Sequence, residues 1–426
     1  MTATNPQPIG SRTDFQRLPG GGYVYVLVDD AVRIELRYLR RESRQLHAEV
    51  DVQCAWAGAQ RHKNSLSCAD LNLSSQAARR SLAKYCAERA KTKPDDFDWP
   101  GAIDAACLEC IQAERTGADV IILDDAPTTA DRDHNVFGLL VPADAASIVI
   151  AHGDGLKSLI LMLVLGTLAT LGKRTLYLDY EWSPARHASR KRRLFGADRL
   201  ENLRYLRCHG PLTVEVETIR RYCDAHRIDF LGVDSVGLAC DGKLGDDDTA
   251  IRFHRALGTL PPSLSAAHVP KSSMGPDGKG DAIGPFGSVF FSNLCRKSWL
   301  VKKQPGPSDD LVTVGLFPQK QNDGDRQRPV GLEFTFGEAI RVKPVNLAGV
   351  VGLAERLPLA ARMTHLLKTG PLTYAELAEQ LDAKVNTIIQ AVMRSPQAFT
   401  KVNDVTSDNV TRIALIDHQH ADKSTT

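Results

Sequence analysis

The segment Ile148 to Ser183, IVIAHGDGLKSLILMLVLGTLATLGKRTLYLDYEWS, carries the strongest fold signal in the chain. An apolar strand runs into the glycine-containing turn HGDGL, and a helical pattern begins at Lys157. A strand that turns tightly into a helix directs backbone N–H groups and the positive end of the helix dipole at one point, which suits phosphate. The usual phosphate-loop pattern is G-x-x-x-x-G-K-[ST], and here Ala151 and Leu156 occupy its two glycine positions.

The loop nevertheless retains the lysine and the hydroxyl that the pattern requires. We predict that Lys157 reaches the β- and γ-phosphates of a nucleotide and that the Ser158 hydroxyl binds Mg²⁺. We expect Leu156 to need a negative φ, because side chains are disfavoured at positive φ, and the loop shape would then differ from the usual one. The second Gly-Lys pair, Gly172 and Lys173, follows a helix rather than a strand and is interpreted as a helix end. The residues predicted to contact the nucleotide are His152, Gly153, Asp154, Gly155, Leu156, Lys157, Ser158 and Leu159.

Three further polar side chains follow apolar runs that are predicted to be strands. Glu181 follows LYLDY, Asp234 ends IDFLGVD, and His268 ends SAAH. The carboxyl ends of parallel strands open on the ligand crevice of such sheets, so these side chains should meet there. We predict that Glu181 orients or deprotonates an attacking water, that Asp234 holds Mg²⁺ through water, and that His268 senses the γ-phosphate.

Residues 119–347 show short apolar runs that alternate with helical patterns. Such runs predict an α/β domain, a mostly parallel sheet with helices on both faces. SWLVKKQ and LVTVGLFPQKQ are predicted to add antiparallel edge strands, whereas KSSMGPDGKGDAIGPFG and QNDGDRQRPVG are predicted to be loops.

The order of Lys157-Ser158, Glu181, FLGVDS and AAHVPK resembles the RecA-type P-loop ATPase core, and within it the DnaB/RepA-like hexameric helicases of phages and plasmids. The resemblance implies ATP and Mg²⁺ as cofactors, sites between the subunits of a homo-oligomeric ring, possible replication-protein partners, and single-stranded DNA in the channel. It also implies a basic finger from a neighbouring subunit, although Asn322 stands at the family's arginine position. Lys320 or Arg326 would take that role, and Arg296 is a further candidate cation near the γ-phosphate. A solvated hairpin turn is the alternative interpretation of the finger segment.

Nucleic-acid contacts are predicted in two places. The loop 272–284 corresponds to a channel loop of the family, and its candidate cations are Lys279 and, directly before the loop, Lys271. The basic stretch SPARHASRKRRLFG carries Arg190 and Arg193, which would contact a phosphate backbone. A solvated helix face is the alternative for this stretch.

The regions outside the core show different patterns. Residues 1–20 and 418–426 are predicted to be disordered, and 348–356 to be a linker. Residues 21–118 predict a small α+β domain, with a hairpin around Asp29-Asp30, a helix capped by Ser74 or Ser75, and a helix closed by Gly117. Residues 357–417 resemble a winged-helix domain that binds DNA or protein, in which Thr373 caps one helix and Asn386 begins the next.

Composition restricts the functional classes. The net charge of +2 over 426 residues excludes a global polyanion-binding field. Nine scattered cysteines favour reduced thiols and a cytoplasmic location, and we interpret Cys107 and Cys110 as buried thiols rather than a metal or redox pair. The start of the chain lacks a signal-peptide pattern, and the longest apolar run, Leu159 to Leu165, is too short to span a bilayer.

Three functional hypotheses follow from these patterns. The first is a DNA-associated ATPase motor, a helicase or helicase-like protein, in replication or mobilisation of a phage, plasmid or integrated element. The second is a nucleotide-gated DNA-binding regulator or loader with little or no ATP turnover. The third is a small-molecule kinase, which would leave the winged helix unexplained.

Overall fold

A computed structural model provides the structure of the chain. It describes residues 12–18, 21–91, 97–117, 122–125, 133–153, 155–269, 287–321, 327–403 and 410–416. The predicted site residues Asp154, Lys271, Lys279 and Arg326 and the loop 272–284 lie outside these ranges. The chain divides into two compact units, residues 1–128 and 129–426.

The first unit combines an antiparallel sheet with two helices. Its strands pair in sequence order, β1 to β5, and the hairpin around Asp29-Asp30 joins the second strand to the third, as predicted. The strands are β1 (Thr13–Arg17), β2 (Tyr23–Leu27), β3 (Val32–Glu42), β4 (Gln45–Cys54) and β5 (Ser65–Asn72), and the helices are α1 (Gln76–Ala90) and α2 (Trp99–Thr116).

Local side-chain chemistry sets the helix ends of this unit. The Ser75 hydroxyl accepts a hydrogen bond from the backbone N–H of Ala78, and Gly117 ends α2 with a φ of 80°. Both ends agree with the sequence prediction. Cys107 and Cys110 are fully buried on α2, and burial raises the pKa of the Cys107 thiol to about 12. The interpretation as buried thiols is therefore confirmed.

The prediction of disorder through residue 20 is wrong for β1. Its backbone pairs with β2, and the Phe15 ring stacks on Tyr23 with ring centroids 5.2 Å apart. The edge of the sheet thus orders a segment whose composition alone does not favour structure.

The second unit is built on a large sheet preceded by a β-hairpin. The hairpin is β6 (Asp133–Val136) with β7 (Leu139–Pro142). Among the described residues, nine strands form the large sheet in the order β10-β9-β11-β12-β8-β13-β14-β15-β16. These strands are β8 (Ala146–Ala151), β9 (Thr175–Asp179), β10 (Leu203–Arg207), β11 (Phe230–Asp234), β12 (Ser263–His268), β13 (Lys297–Pro305), β14 (Leu311–Gln321), β15 (Val330–Thr335) and β16 (Arg341–Val345).

The predicted position of β13 in this sheet is wrong. It was expected as an antiparallel edge strand, but it runs parallel to β8 and is buried in the middle of the sheet. Trp299 and Leu300 are both buried and belong to different core clusters, so both faces of β13 are covered. Strand β14 is antiparallel as expected but lies inside the sheet, whose edges are β10 and β16.

Helices cover both faces of the sheet, as the apolar runs predicted. Val149 and Ala151 of β8 belong to the core cluster that contains α3, whereas Ile148 and Ile150 belong to the cluster that contains α5 and α7. The helices are α3 (Lys157–Thr170), α4 (Pro184–Phe195), α5 (Leu212–His226), α6 (Val236–Ala239), α7 (Asp247–Leu257) and α8 (Phe290–Asn293). This is the α/β class that the sequence predicted, with all the strand-end side chains on one edge.

The C-terminal segment has its own small core. Three helices are followed by two strands, and the described strands pair in the order β17-β19-β18. The elements are α9 (Leu359–Leu366), β17 (Leu372–Thr373), α10 (Tyr374–Gln380), α11 (Val385–Arg394), β18 (Phe399–Asn403) and β19 (Thr411–Leu415). Thr373 forms a capping box with Glu376, as its position predicted, and the next helix begins at Val385, one residue before Asn386. The domain boundaries and the winged-helix assignment stay predictions.

Within the described ranges, no helix combines the length and the apolar character needed to cross a membrane.

Candidate functional site

The loop between β8 and α3 adopts a shape that the sequence did not predict. Leu156 has φ 57° and ψ 19°, a left-handed conformation, so the expectation of a negative φ is wrong. Gly155 is required by close packing, because a Cβ there would lie 2.5 Å from the Cβ of Ala151. Ala151, at the other altered position, is simply the last residue of β8 and pairs with His268. The backbone therefore turns tightly into α3 in spite of both substitutions.

Lys157 is buried at the first turn of α3 and faces the inside of the loop. Its Nζ donates to the carbonyl oxygens of His152 at 2.8 Å and Ala151 at 3.3 Å. The same Nζ lies 3.2 Å from Nδ1 of His268. Lys157 and His268, which are far apart in sequence, are thus direct neighbours because β12 lies beside β8.

Ser158 and Asp234 form the donor set predicted for Mg²⁺. Both side chains line one cavity, and Asp234 accepts a hydrogen bond from the hydroxyl of Tyr177 at 2.6 Å. Asp234 is almost fully buried, and this burial raises its pKa. A buried carboxylate beside a hydroxyl fits Mg²⁺, which is usually held by one or two protein oxygens together with substrate phosphates.

A buried aspartate, which the sequence did not single out, builds the turn that presents Glu181. Asp179 accepts hydrogen bonds from the backbone N–H groups of Glu181 at 2.9 Å and Trp182 at 3.0 Å. It also accepts one from the hydroxyl of Tyr205 at 2.7 Å, and Nε2 of His187 lies 3.2 Å from its Oδ2. These contacts satisfy the buried carboxylate and fix the backbone that follows β9.

Glu181 faces the same space as Lys157 and Asp234. Its Oε1 accepts a hydrogen bond from Ser235 at 2.6 Å, and its Oε2 accepts one from the Trp182 indole at 3.2 Å. The pKa of Glu181 is lowered to about 2, first by the His268 imidazole and then by the Ser235 hydroxyl. Since Nε2 of His268 lies 3.8 Å from Oε1, we regard that contact as an electrostatic pair rather than a formed hydrogen bond. Glu181 is therefore ionised at neutral pH.

These side chains surround one cavity of about 320 Å³. Phe336 and Ile340, which follow β15 and which the sequence prediction missed, add apolar wall to it. No local signal identifies them, because they reach the cavity only through the pairing of distant strands. The cavity is lined by Gly153, Leu156, Lys157, Ser158, Leu159, Glu181, Trp182, Arg190, Arg193, Asp234, His268, Phe336 and Ile340.

Arg190 and Arg193 also line this cavity, although the sequence placed them at a nucleic-acid surface. The Arg193 guanidinium donates to the carbonyl of Gly337 at 2.7 Å, and the Arg193 carbonyl accepts from the N–H of Ile340 at 2.7 Å. Helix α4 is thereby attached to the turn after β15. The nucleic-acid role of both arginines stays a prediction.

Lys320 and Arg296 are not brought to the cavity. The backbone N–H of Arg296 donates to the carbonyl of Ala146, at the amino end of β8. Lys157 lies beyond the other end of that strand, after the loop that follows Ala151. Lys320 pairs with Ser298 near the same amino end of β8, and its Nζ donates to the carbonyl of Cys295 at 2.8 Å. The expectation that Arg296 lies near the γ-phosphate is therefore wrong within one subunit.

A larger cavity of about 640 Å³ lies in the first unit, between β5 and α1. It is lined mainly by small and apolar side chains, with Arg89 and His62 at its polar margin. Among the described residues, no group of three histidine, cysteine or carboxylate side chains is arranged to hold a metal ion. The carboxylate and lysine side chains thus line the smaller cavity rather than the larger one.

The sheet topology defines an α/β fold, a mostly parallel sheet with helices on both faces. No protein-family model matches the chain, and no curated protein matches it either. Among solved structures, it is similar to the flagellar accessory protein FlaH from Methanocaldococcus jannaschii, with 11% sequence identity and a TM-score of 0.35. That match covers 48% of this chain and 91% of FlaH, and it adds nothing to the topology described above.

Proposed function

We propose that this protein binds Mg·ATP and hydrolyses it as a DNA-associated motor, a helicase or helicase-like ATPase of a phage, plasmid or integrated element. One observation carries the ATPase part of the proposal. Lys157, Ser158, Glu181, Asp234 and His268 come from four strand ends and surround a single cavity of about 320 Å³. A lysine, a hydroxyl and two carboxylates are the groups that phosphoryl transfer to water requires.

In the proposed reaction, a water oxygen forms a bond to the γ-phosphorus while the bond from that phosphorus to the β–γ bridging oxygen breaks. ADP leaves with the bridging oxygen, and the proton of the attacking water passes to an oxygen of the phosphate product. Lys157 would donate hydrogen bonds to the β- and γ-phosphates, and Ser158 and Asp234 would hold Mg²⁺. Mg²⁺ bound there would supply positive charge that offsets the charge developing on the phosphate oxygens. Glu181 holds the water by accepting its hydrogen bond. Because its pKa is about 2, it is a weak base, and we assign it mainly an orienting role.

His268 lies between the two halves of the site. Its Nδ1 is 3.2 Å from Nζ of Lys157, and its Nε2 is 3.8 Å from Oε1 of Glu181. A change in phosphate charge next to Lys157 would therefore alter the electrostatic environment of Glu181 through this ring. We propose that His268 senses the γ-phosphate in this way.

The DNA part of the proposal is supported by the resemblance of the core to DnaB/RepA-like helicases and by the C-terminal segment. Helix α11 leaves Asn386, Thr387 and Arg394 exposed, and Lys384 precedes it. Lys320 and Arg296 lie at the amino end of the sheet, away from the cavity of their own subunit. That position suits a contact with the site of a neighbour in a homo-oligomeric ring.

The test is steady-state ATP hydrolysis with and without single-stranded DNA, beside Lys157→Ala as a control. We expect turnover that rises with DNA and disappears in the control. Turnover that is unaffected by DNA would exclude the motor and leave an ATPase of another kind.

A second measurement concerns Glu181 alone. Glu181→Gln preserves the size of the side chain and one carbonyl oxygen but removes the charge, so turnover should fall by roughly 10²- to 10⁴-fold. ATP affinity should stay close to the wild-type value. Undiminished turnover would exclude Glu181 as the residue that positions the water.

The alternative function is a nucleotide-gated DNA-binding regulator or loader with little turnover. The observation that favours it is the Leu156 side chain, which lines the cavity where the usual pattern has no side chain at all. ATP binding without hydrolysis, together with duplex binding that changes with nucleotide, would select this alternative. The kinase hypothesis gains no supporting observation from the described residues.

A further inference from the structure

The first unit carries a groove that the proposed ATPase does not use. Strand β5 forms one wall and helix α1 the other, and the cavity between them measures about 640 Å³. Five consecutive residues of the strand, Ser65 to Ala69, line it. Neighbouring residues of a strand point to opposite faces of the sheet, so a cavity lined by consecutive residues runs along the edge of the strand.

This edge of the sheet is formed for pairing with a further strand. Among the described residues, β5 is the last strand of its sheet and pairs with β4 on one side. In an antiparallel ladder, every second residue directs its backbone N–H and C=O to the partner strand, and the residues between them direct theirs away from it. An extended peptide can use such an edge as a template and add a strand to the sheet. Here the added strand would lie between β5 and α1.

Helix α1 presents one stripe of side chains to the groove. Ala78, Ser81, Tyr85 and Arg89 recur at spacings of three and four residues, and all four line the cavity. Tyr85 is 47% exposed although it lies in a concave site. An aromatic ring in this position offers apolar contact to the side chains of a bound peptide.

The groove is positively charged at one end. Arg89 and His62 both line it, and the backbone N–H of Gln60 donates to the Arg89 carbonyl at 2.7 Å, which places the end of α1 beside the turn before β5. No carboxylate is among the described residues that line the groove, and the exposed Arg80 and Lys84 add positive charge along α1. An acidic group therefore matches this end of the groove.

We propose that the groove between β5 and α1 binds an extended acidic peptide of a partner protein as an additional strand of the sheet. The peptide backbone would pair with the edge of β5, alternate side chains would contact Tyr85 and the buried Leu66, and a carboxylate side chain would meet Arg89. A second copy of this chain matches less well, because it would bring the same cations together. The groove contains none of the proposed ATPase residues, so this inference stands whether or not the protein hydrolyses ATP.

The first experiment selects ligands from a displayed library of random dodecapeptides on the immobilised full-length protein. The Arg89→Glu variant serves for counter-selection. We expect enriched peptides that carry aspartate or glutamate beside alternating β-branched or aromatic residues. The absence of any enriched sequence, or enrichment of peptides without acidic residues, would overturn the proposal.

The second experiment measures the affinity of one enriched peptide for three variants by fluorescence anisotropy. Arg89→Glu should weaken binding by roughly 10- to 100-fold, because it removes a charge-assisted hydrogen bond and adds repulsion. Ser81→Trp, which fills the groove from an exposed position, should weaken it as well. Lys84→Glu makes the same charge change as Arg89→Glu at an exposed position outside the lining and should have only a small effect. Thermal unfolding checks that each variant is folded, and equal affinity of wild type and folded Arg89→Glu would overturn the proposal.

The third experiment tests whether the peptide binds as a strand. Each backbone nitrogen of the enriched peptide is methylated in turn, which removes one N–H donor at a time. Methylation at every second residue should abolish binding, and methylation at the residues between them should be tolerated, because only alternate residues face β5. Tolerance at all positions would overturn strand addition.

The same variants identify a second copy as the occupant. Self-association of the wild type is measured by analytical ultracentrifugation with and without the enriched peptide. If the peptide dissociates the assembly and Ser81→Trp prevents its formation, the groove is an interface between copies and the proposal is overturned. An oligomeric state that is unchanged by the peptide and by Ser81→Trp supports a partner protein.

Discussion

Leu156 shows how one residue can keep the shape of a loop at an energetic cost. Its left-handed backbone positions the chain for entry into α3, and its side chain packs partly buried beside the α3 core. For a residue with a Cβ, this conformation costs roughly 1–2 kcal/mol relative to the right-handed region. The loop between β8 and α3 therefore makes its tight turn at the cost of backbone strain at Leu156.

The strain can be measured by comparing Leu156→Gly with Leu156→Ala. Both substitutions remove the leucine packing, but only alanine keeps the Cβ that opposes the left-handed conformation. We expect the free energy of unfolding of the glycine variant to exceed that of the alanine variant by about 1 kcal/mol. Glycine removes the strain of the left-handed conformation, and its greater entropy in the unfolded chain offsets only part of that stabilisation. Urea unfolding of the two proteins gives this difference. An alanine variant as stable as the glycine variant would mean that the loop is not left-handed at this position.

The lowered pKa of Glu181 predicts a dependence of stability on pH. Its folded-state pKa of about 2 lies below the ordinary value of 4.5, so its contribution to stability is complete above pH 4.5. That contribution is lost as the pH falls from 4.5 through about 2. The difference in unfolding free energy between wild type and Glu181→Gln should therefore be constant near neutrality and decline across this window. If the difference in unfolding free energy between the two proteins stayed the same down to pH 2, the pKa of Glu181 would not be lowered as described.

At the scale of the element, the turn after β9 depends on one buried carboxylate. Asp179 is fully buried and accepts hydrogen bonds from two backbone N–H groups and from the hydroxyl of Tyr205. Loss of one acceptor oxygen leaves a buried donor unpaired, which is more costly than loss of an exposed contact. The position of Glu181 relative to the cavity thus depends on a residue outside the predicted site.

Asp179→Asn should lower the free energy of unfolding by about 1–3 kcal/mol and reduce turnover, since an asparagine keeps only one acceptor oxygen. ATP affinity should change little, because the residues predicted to bind the phosphates belong to the loop between β8 and α3 and to the start of α3. Asp229→Asn is a suitable control, since Asp229 forms a half-exposed ion pair with Arg174 and should cost less than about 1 kcal/mol. Equal losses of stability in the two variants would contradict the claim that the buried Asp179 contributes more to stability than the partly exposed Asp229.

The capping box of α10 gives a second prediction at this scale. The Thr373 hydroxyl accepts from the N–H of Glu376 at 3.1 Å, and the Glu376 carboxylate accepts from the N–H of Thr373 at 2.7 Å. Thr373→Ala should cost about 1 kcal/mol of unfolding free energy, because a helix N–H loses its acceptor. Thr369→Ala, whose hydroxyl only donates to the carbonyl of Leu366, should cost less. Chemical denaturation followed by helical circular dichroism compares them.

At the scale of the whole molecule, each of the two units has its own apolar core. Among the described residues, the core cluster of the first unit contains buried residues between Tyr23 and Cys110 and none from the second unit. Tertiary burial of this kind is sufficient for independent folding in a domain of this size. The first unit should therefore be stable as a separate piece.

A fragment of residues 1–128 is expected to fold cooperatively without the rest of the chain. Thermal unfolding should show a single transition, and the amide signals in its NMR spectrum should be well dispersed. The ATPase activity of residues 129–426 can be assayed separately. A fragment without a cooperative transition would mean that the first unit depends on contacts with the second.

Local patterns in the sequence were sufficient for most elements and for their ends. The strand-turn-helix of 148–170, the apolar strands that follow it, the Ser75 cap and the Thr373 cap all depend on interactions within a few residues. Lys157 and Ser158 were predicted from the strand-turn-helix pattern, and Glu181, Asp234 and His268 because each follows or ends an apolar run. Their convergence follows from the rule that the carboxyl ends of parallel strands share one edge.

Only the tertiary structure decided which residues complete the cavity and how the strands are ordered. The burial of β13 beside β8, the approach of Phe336 and Ile340, and the inward position of Arg190 all depend on pairing between segments far apart in sequence. The left-handed φ of Leu156 likewise reflects packing around α3 that outweighs the local preference of leucine. The sequence by itself determined which helices and strands form and which of their ends carry polar side chains, because both depend on interactions between residues close in sequence. The order of the strands, the residues that complete the cavity and the φ of Leu156 were determined by packing between distant segments, because they depend on which apolar faces bury each other.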